Sequence, residues 1–315
     1  MKLKKPKFWD YKKPNFLSNF LFPISKFYEL VLKFQPTKNI KKINSIKTIC
    51  VGNIYIGGTG KTSFSIELMK LCDKMQIKAC FIKKFYSDQI DEQKLLEKFG
   101  KTFINKSRSK ALDEAAKNGF KIAIFDDGLQ DKSILYDISF VCFNEKNMFG
   151  NKRIIPSGPL RESLDNLTKY KNVLISGNQN NQLSIKSFFS ENFGKLNLFN
   201  SSYQPINLNN FNLEKTYLVF SGIGNHNTFL EMLTQNKFKI VKDLEYPDHH
   251  SYSKRDIKKI LELAKSLNAE ILTTEKDYMR IGENFQKEIN YIKINLKIDQ
   301  LDEINNKIKK LYESI

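Results

Sequence analysis

The stretch GNIYIGGTGKTSF, residues 52–64, limits the possible folds of this chain more than any other. Its glycines lack a Cβ, so the backbone can curl and point successive N–H groups at an anion. In the P-loop pattern G-x-x-x-x-G-K-[ST], Lys61 reaches the β- and γ-phosphates of a nucleotide and the Thr62 hydroxyl binds Mg²⁺. The pattern predicts a nucleotide site made of Tyr55, Ile56, Gly57, Gly58, Thr59, Gly60, Lys61 and Thr62.

One position of this loop departs from the pattern, because Tyr55 stands where the first glycine is expected. The flanks nevertheless fit. Residues 46–52, IKTICVG, are a β-branched run typical of a buried strand, and SFSIELMKLCDKM has apolar residues at helical spacing. Because a chance glycine-rich turn would need neither flank, we expect Tyr55 to reshape the entry to the loop without abolishing nucleotide binding.

A second signal is FKIAIFDDGLQD, in which an apolar run from Ile122 to Phe125 is followed by Asp126 and Asp127. Carboxylates at the carboxyl end of a parallel strand lie beside the P-loop in such sheets, where one can bind the Mg²⁺ that Thr62 also contacts. The alternative is an ordinary turn after a strand. With a P-loop upstream we prefer the metal role, and the sequence leaves open which aspartate binds directly.

Apolar runs and helical patterns alternate along the chain, which predicts an α/β fold with helices on both faces of a parallel sheet. In the first part, strands are expected near 46–52, 78–82, 121–126 and 137–143, and helices near 61–75, 91–99 and 107–118. In the second part, strands are expected near 216–221, 238–243 and 269–274, and helices near 227–236, 254–267 and 300–313.

A chain of 315 residues exceeds what one hydrophobic core usually serves, so two domains are expected. Between them, a weakly patterned stretch rich in asparagine and serine is predicted to be a linker or domain edge. The predicted parts are an N-terminal amphipathic membrane-surface segment, a P-loop domain, this linker and a smaller α/β domain, at residues 1–40, 41–176, 177–213 and 214–315.

The N-terminal segment is basic and then amphipathic. Lysines surround the only tryptophan, Trp9, and PNFLSNFLFPISKFYELVLKF follows. In a helical conformation this segment has an apolar stripe, which Pro23 would kink or divide. The stripe consists of Leu17, Phe20, Leu21, Ile24, Phe27, Tyr28, Val31 and Phe34.

This segment is not expected to span a membrane, because Lys26, Glu29 and Lys33 interrupt the ~20 largely uncharged residues that a span needs. A signal peptide is not expected either, since no small-residue cleavage site follows. We favour a helix that lies in the membrane surface, with its lysines drawn to anionic lipid, over a helix packed on the protein's own core.

The net charge of +18 is carried mainly by lysine, since only five of the 52 basic residues are arginine. Such a charge is compatible with nucleic acid, an anionic membrane or an acidic substrate, and equally with compositional drift. The scattered cysteines include no C-x-x-C pair and indicate reduced cytosolic thiols rather than a disulfide or zinc framework. They are Cys50, Cys72, Cys80 and Cys142.

Arginine is informative in a lysine-rich chain, because a planar guanidinium can contact phosphate through two N–H groups. RIIPSGPLRE contains Arg153 and Arg161, for which a phosphate contact and a surface salt bridge are both open. Elsewhere, YPDHHSYS places His249 and His250 before a helix that Ser253 can cap. Histidine suits proton transfer near neutral pH, but an ordinary structural role remains open for both.

Six stretches, in this order, resemble the successive motifs of the tetraacyldisaccharide 4′-kinase family: VGNIYIGGTGKT, DDGLQ, PSGPLRE, SGIGN, PDHH and TTEKD. The resemblance covers nearly the whole chain after the N-terminal segment. It implies a P-loop domain joined to a smaller α/β domain, in a peripheral enzyme at the cytoplasmic face of the inner membrane. The family uses ATP and Mg²⁺ to phosphorylate the 4′-hydroxyl of a tetraacylated glucosamine disaccharide 1-phosphate, giving lipid IVA, and its loop similarly lacks the first glycine.

The resemblance also implies residue roles. On the ATP side, Lys61 and Thr62 would hold the phosphates and Mg²⁺, with Asp126 and Asp127 as acidic metal partners. Arg161 would meet phosphate on ATP or on the acceptor.

On the acceptor side, IDEQKLL matches the family's catalytic carboxylate motif, which makes Asp91 the candidate base and His249 its partner. Here the chain departs from the family, with Ile90 in place of a glycine and KKFY, residues 83–86, in place of S-R-G-Y. Asp131 follows DDGLQ where histidine is typical.

Two other classes of protein share some of these features. A membrane-associated partitioning ATPase would also join a P-loop to an amphipathic helix, but its signature lysine falls at Ile56. A basic RNA-binding NTPase would explain the charge, yet the sequence has no aromatic-rich RNA motif or separate basic domain. Nucleic acid is therefore not expected as a partner, and the sequence does not determine the oligomeric state.

Overall fold

The computed structural model describes residues 5–34, 40–87, 89–177 and 182–315, with side chains from residue 184 in the last range. The chain divides into two compact units. The larger unit runs from the N-terminal residues to Tyr86 and also contains Leu96–Ser202 and Ile298–Ile315. The smaller unit contains Ser87–Leu95 and Tyr203–Lys297.

Strands and helices alternate as the sequence predicts. The strands are β1 Lys47–Gly52, β2 Ala79–Lys84, β3 Thr102–Asn105, β4 Ile122–Asp126, β5 Ile138–Asn144, β6 Lys171–Ser176, β7 Asn197–Pro205, β8 Thr216–Ser221, β9 Lys239–Glu245, β10 Glu270–Thr274, β11 Asn290–Ile292 and β12 Ile294–Ile298. The helices are α1 Phe16–Phe34, α2 Lys61–Lys74, α3 Ile90–Phe99, α4 Arg108–Lys117, α5 Leu167–Tyr170, α6 Gln182–Phe193, α7 His226–Gln235, α8 Lys254–Ser266, α9 Glu275–Tyr278, α10 Glu283–Gln286 and α11 Leu301–Glu313.

The larger sheet has the strand order β12-β7-β6-β5-β1-β4-β2-β3. The pairs from β7 to β3 are parallel. β1 and β4 lie at its centre and are almost wholly buried apolar runs. Such sequences are typical of strands that helices cover on both faces. The predicted α/β fold with a parallel sheet is confirmed. The carboxyl ends of β1, β4 and β2 therefore lie side by side.

Four strands of this sheet, β3, β6, β7 and β12, have no counterpart in the predicted pattern. β3 is four residues long and has one buried side chain, Phe103. It is therefore too short to show an alternating pattern of apolar and polar residues. The asparagine- and serine-rich stretch 177–213 contains α6 and β7. Aromatic contacts stabilise α6, since the rings of Phe188 and Phe189 pack on Phe149 with centroids 5.1 and 5.6 Å away.

α1 is one helix with Pro23 inside it, so the alternative of two helices divided at Pro23 is wrong. Its only buried residues among those described are Ser18 and Ser25. The apolar side chains are mostly exposed: Phe16, Leu17, Phe20, Phe22, Ile24, Phe27, Leu30, Val31 and Phe34. Among the described helices, none is both long enough and apolar enough to cross a membrane.

The polar side of α1 is held by the loop that contains the PSGPLRE motif. The Ser18 hydroxyl donates to the Ser157 carbonyl at 2.7 Å, and the Ser157 hydroxyl donates to the Ser18 carbonyl at 2.6 Å. The Ser25 hydroxyl donates to the Ile154 carbonyl at 2.9 Å and accepts from the Ser157 amide at 2.9 Å. α1 therefore docks through serines and presents phenylalanines outward.

The smaller unit has a four-stranded parallel sheet in the order β11-β10-β8-β9. Alternate residues of β8 enter two cores. Tyr217 and Val219 pack with residues of α7, whereas Leu218 and Phe220 pack with residues of α8. The predicted cap of the latter helix is confirmed, since the Ser253 hydroxyl accepts from the Asp256 amide in a capping box.

Candidate active site

The P-loop connects the end of β1 to the start of α2 in the larger unit. Gly57 has φ of 132° and Gly60 has φ of 85°, conformations that side-chain-bearing residues rarely adopt. Gly60 occupies the N-cap of α2 without a capping side chain, and the helix begins at Lys61. The first N–H groups of α2 and the positive end of its dipole are therefore available to an anion.

Tyr55 is buried and its side chain is directed at the N-terminal segment. Its hydroxyl donates to the Asp10 carboxylate, and the Lys5 ammonium donates to it at 2.8 Å. Its backbone forms an antiparallel bridge with Leu160. Burial, followed by the contact with Asp10, raises the pKa of Tyr55 well above its usual range, so the hydroxyl stays protonated. Tyr55 thus links the loop to two neighbouring segments.

Asp126, at the end of β4, is wholly buried. The Lys83 ammonium donates to its Oδ2 at 2.6 Å, and Thr62 Oγ1 lies 3.4 Å from the same oxygen. The Ser65 hydroxyl lies 3.2 Å from Oδ1. The structure therefore brings together Thr62 and Asp126, as predicted, and adds Lys83 to them.

Asp127 follows with φ of 58°, the left-handed region, which turns its carboxylate toward other partners. The Arg161 guanidinium donates to its Oδ1 at 2.8 Å, and Lys61 Nζ lies 3.9 Å from that oxygen. Burial alone would raise the pKa of the Asp127 carboxyl, but the charges of Lys61 and Arg161 outweigh burial and hold the pKa well below its usual range. Asp127 is therefore a carboxylate at neutral pH.

The oxygen atoms of this cluster suit Mg²⁺. The described residues contain no group of three or more His, Cys, Asp or Glu side chains able to bind a metal. Mg²⁺ does not need one, because it usually binds one or two carboxylates and takes its other ligands from water and substrate phosphates. Asn53 Oδ1 and Thr59 Oγ1 are buried without a hydrogen-bond partner in the described structure, which leaves loop oxygens for a ligand's water or hydroxyl.

The second set of predicted residues lies in the smaller unit. Asp91, in the first turn of α3, is largely buried, and its Oδ1 lies 3.2 Å from His249 Nδ1. The two residues are 158 positions apart in the chain. His249 has φ of 55°, and its amide donates to the Gly222 carbonyl at 3.0 Å. The structure thus joins the two residues that the family resemblance paired.

Arg280 completes this cluster. Its guanidinium donates to Asp91 Oδ2, to Asp277 Oδ1 at 2.9 Å and to the Gly222 carbonyl at 2.7 Å. Burial alone would raise the pKa of the Asp91 carboxyl, but the His249 hydrogen bond and the Arg280 charge outweigh burial and hold the pKa well below its usual range. Asp91 is therefore ionised at neutral pH and fixed in orientation from two sides.

His250, the other histidine of the motif, is structural. Its ring packs on Tyr246 with centroids 4.7 Å apart, and its Nε2 lies 3.3 Å from Asp256 Oδ2 at the start of α8. Arg153 is likewise occupied away from the aspartates, since its guanidinium lies over the Phe22 ring at 4.4 Å.

Sequence reasoning did not assign a role to Lys83, Arg108 or Arg280. Arg108 is buried and contacts the Asp127 carbonyl, and its Nη1 lies 3.3 Å from Asp131 Oδ2. The rarity of arginine was a usable signal for Arg108 and Arg280. Lys83 is one of 47 lysines, and only its strand-end position marks it.

We predict that Arg280→Gln lowers kcat by about 10- to 100-fold and leaves the KM for ATP nearly unchanged, because Arg280 orients Asp91 and belongs to the smaller unit. Arg280→Lys keeps the charge without the two-pronged geometry and should recover part of kcat. Steady-state kinetics of the three proteins measures this. A parallel rise in the KM for ATP, or no recovery by lysine, would contradict the positioning role.

The chain is similar to known proteins over nearly its whole length. A family model described as LpxK, tetraacyldisaccharide-1-P 4′-kinase, matches residues 17–313. A tetraacyldisaccharide 4′-kinase from Pelagibacter ubique is 52% identical over 313 residues, with 99% of each chain covered. One from Rickettsia typhi is 30% identical over 328 residues, covering 98% of this chain and 99% of the relative.

A solved structure has the same fold. The crystal structure of the "apo" form of LpxK from Aquifex aeolicus in complex with ATP has a TM-score of 0.71 to this chain at 22% sequence identity. The match covers 94% of this chain and 99% of that one.

Proposed function

The chain belongs to the tetraacyldisaccharide 4′-kinase family, and from this premise we propose how its own residues carry out the reaction. It is an ATP-dependent kinase of lipid A biosynthesis that phosphorylates the 4′-hydroxyl of a tetraacyldisaccharide 1-phosphate, giving lipid IVA. The observation that carries the residue roles is the contact between Asp91 and His249 across 158 residues, because it joins a carboxylate and an imidazole in a form suited to accepting a proton.

In the proposed nucleotide site, residues 55–62 wrap the ATP phosphates through backbone N–H groups. Lys61 contacts the β- and γ-phosphates, and Thr62 with the two aspartates supplies oxygen ligands to the metal. Mg²⁺ held there would supply positive charge that offsets the charge of the phosphates. Arg161 holds Asp127 in place and offers its remaining N–H groups to phosphate.

In the proposed chemical step, the 4′-hydroxyl donates its proton to Asp91 as its oxygen forms a bond to the γ-phosphorus. The bond from the γ-phosphorus to the bridging oxygen of the β-phosphate breaks, and ADP leaves. A sugar hydroxyl is too weak an acid to ionise by itself near pH 7, so a fixed carboxylate lowers the barrier. His249 Nδ1, when protonated, donates to Asp91 and keeps one carboxylate oxygen turned toward the acceptor. The Arg280 contact makes Asp91 a weaker base and at the same time fixes the orientation of its carboxylate.

We further propose that α1 lies in the membrane surface and makes the enzyme a peripheral protein of the cytoplasmic face of the inner membrane. The support is the inverted burial of this helix, in which serines face the protein and phenylalanines face outward. Lys26 and Lys33 are exposed on the same helix, where both pair with Glu29, and together they leave one net positive charge that suits anionic headgroups. The substrate, a lipid disaccharide phosphate, keeps its acyl chains in that membrane.

The double variant Phe20→Glu/Phe27→Glu should lose most vesicle binding. The two side chains are 72% and 69% exposed, so the fold does not depend on them. Burying a phenylalanine is worth roughly 1.5–3 kcal/mol, so partitioning into vesicles containing phosphatidylglycerol should fall by about 100-fold or more. Co-sedimentation with such vesicles measures this.

The matched control for this prediction places the same two negative charges on an exposed part of α6, as Ser190→Glu/Asn192→Glu. The control should sediment with vesicles almost like wild type. Equal loss of binding in both double variants would mean that net charge, and not α1, determines membrane binding.

The function is tested by transfer of the γ-phosphate of labelled ATP to tetraacyldisaccharide 1-phosphate in detergent micelles. Labelled lipid is the expected product. ATP hydrolysis without labelled lipid would instead indicate a nucleotide switch of the partitioning type, which the family membership does not favour.

A further inference from the structure

Lys83 places a buried ammonium group beside the phosphate-binding loop. It lies near the carboxyl end of β2 and is 1% exposed. In the parallel register of β2 and β4, Lys83 is the direct partner of Asp126. Its Nζ lies 2.6 Å from Asp126 Oδ2. A lysine is rarely buried to this degree, and here a wholly buried carboxylate stabilises it.

The same carboxylate belongs to the proposed metal site. Thr62 Oγ1 lies 3.4 Å from the oxygen that Lys83 holds, and Ser65 Oγ lies 3.2 Å from the other oxygen. A metal ion at Thr62 would therefore approach a carboxylate that already accepts a hydrogen bond from the Lys83 ammonium. At such distances and in a buried setting, the repulsion between a divalent cation and the ammonium is strong.

The net charge of the whole cluster also disfavours a metal ion without nucleotide. Two carboxylates, Asp126 and Asp127, face three cations: Lys61, Lys83 and Arg161. The cluster therefore has an excess of positive charge before any ligand binds. Free Mg²⁺ is disfavoured in such a site, whereas a nucleotide carries enough negative charge to reverse the balance.

We propose that Lys83 is a fixed cation that weakens binding of free Mg²⁺, so that the metal enters this site together with the nucleotide. The inference rests on the proposed function, because it takes the P-loop as the site of ATP. Lys83 is in this sense a specificity-determining residue, since it makes the site accept the metal–nucleotide complex and not the metal alone.

The test is a thermal-shift titration of the full-length protein with MgCl₂ at constant ionic strength, without nucleotide and then with the non-hydrolysable analogue AMP-PNP. Wild type should show little stabilisation by millimolar MgCl₂ alone and clear stabilisation by MgCl₂ with AMP-PNP. Lys83→Gln keeps a donor to Asp126 without the charge, and its MgCl₂ midpoint without nucleotide should be at least about tenfold lower. Lys84→Gln, the next residue of the same strand, should behave like wild type.

Two results would overturn the proposal. One is a wild-type protein that binds Mg²⁺ alone as tightly as it does with AMP-PNP, a measurement that needs no variant. The other is a Lys83→Gln midpoint equal to those of wild type and Lys84→Gln. Failure of the proposed function is a different result, because wild type would then show no stabilisation by AMP-PNP with MgCl₂.

Discussion

Asp91→Asn should lower kcat for lipid phosphorylation by about 10³-fold and leave ATP binding nearly unchanged. Asparagine has the same shape and can still contact Arg280 and His249, but it cannot accept the proton of the 4′-hydroxyl. A positioned general base contributes about 10²–10⁴ in rate, which sets the expected range. Single-turnover transfer of labelled phosphate, with AMP-PNP binding measured in parallel, separates chemistry from nucleotide affinity.

The control for this prediction is Glu92→Gln, which removes the neighbouring carboxylate of α3. Glu92 contacts Lys276 at 3.3 Å, and we expect a loss of less than about tenfold. If Glu92→Gln lost as much transfer as Asp91→Asn, or if Asp91→Asn lost AMP-PNP binding to the same extent, Asp91 would not be the base.

Lys61→Ala should lower kcat/KM for ATP by about 10³-fold, because the γ-phosphate loses its fixed positive charge in the transition state. Lys61 Nζ is mostly buried and lies 3.9 Å from Asp127 Oδ1, so its position is set before nucleotide binds. Lys61→Arg should restore little of the lost kcat/KM, since a planar guanidinium does not fit a site shaped for a compact ammonium. The same transfer assay measures both variants.

Lys70→Ala is the matched control, because this lysine lies on the same helix, is partly exposed and pairs with Glu67. Its activity should stay close to that of wild type. Recovery of near-wild-type rates by Lys61→Arg would indicate that any positive charge suffices, and the P-loop role assigned to Lys61 would then be wrong.

The features that sequence predicted are those encoded locally. The strand, loop and helix around residues 46–75 are contiguous in the chain. The β-branched run, the glycines and the helical spacing therefore predict them together as one unit. The family assignment was also predicted, because six motifs occur in a fixed order. The pair of Asp91 and His249 came from that resemblance, and nothing in their spacing along the chain indicates contact.

The features that sequence did not predict depend on pairing between distant segments. Lys83 meets Asp126 only because β2 and β4 are neighbours in register, although β3 separates them in the chain. Arg280 reaches Asp91 across 189 residues. In the same way, β6 is a short apolar run whose place in the sheet depends on pairing with β5 and β7.

The docking of α1 through Ser18 and Ser25 bears on how this kinase can be purified. Replacing the phenylalanines of a helix that packs through them would release the helix, but the docking of α1 includes hydrogen bonds from two serine hydroxyls. Phe22 contacts the Arg153 guanidinium and should be kept, whereas the more exposed Phe16, Phe20, Phe27 and Phe34 can be replaced without loss of these hydrogen bonds. A form of the enzyme that stays in solution without detergent should result when those exposed phenylalanines are replaced by polar residues and both serines are kept.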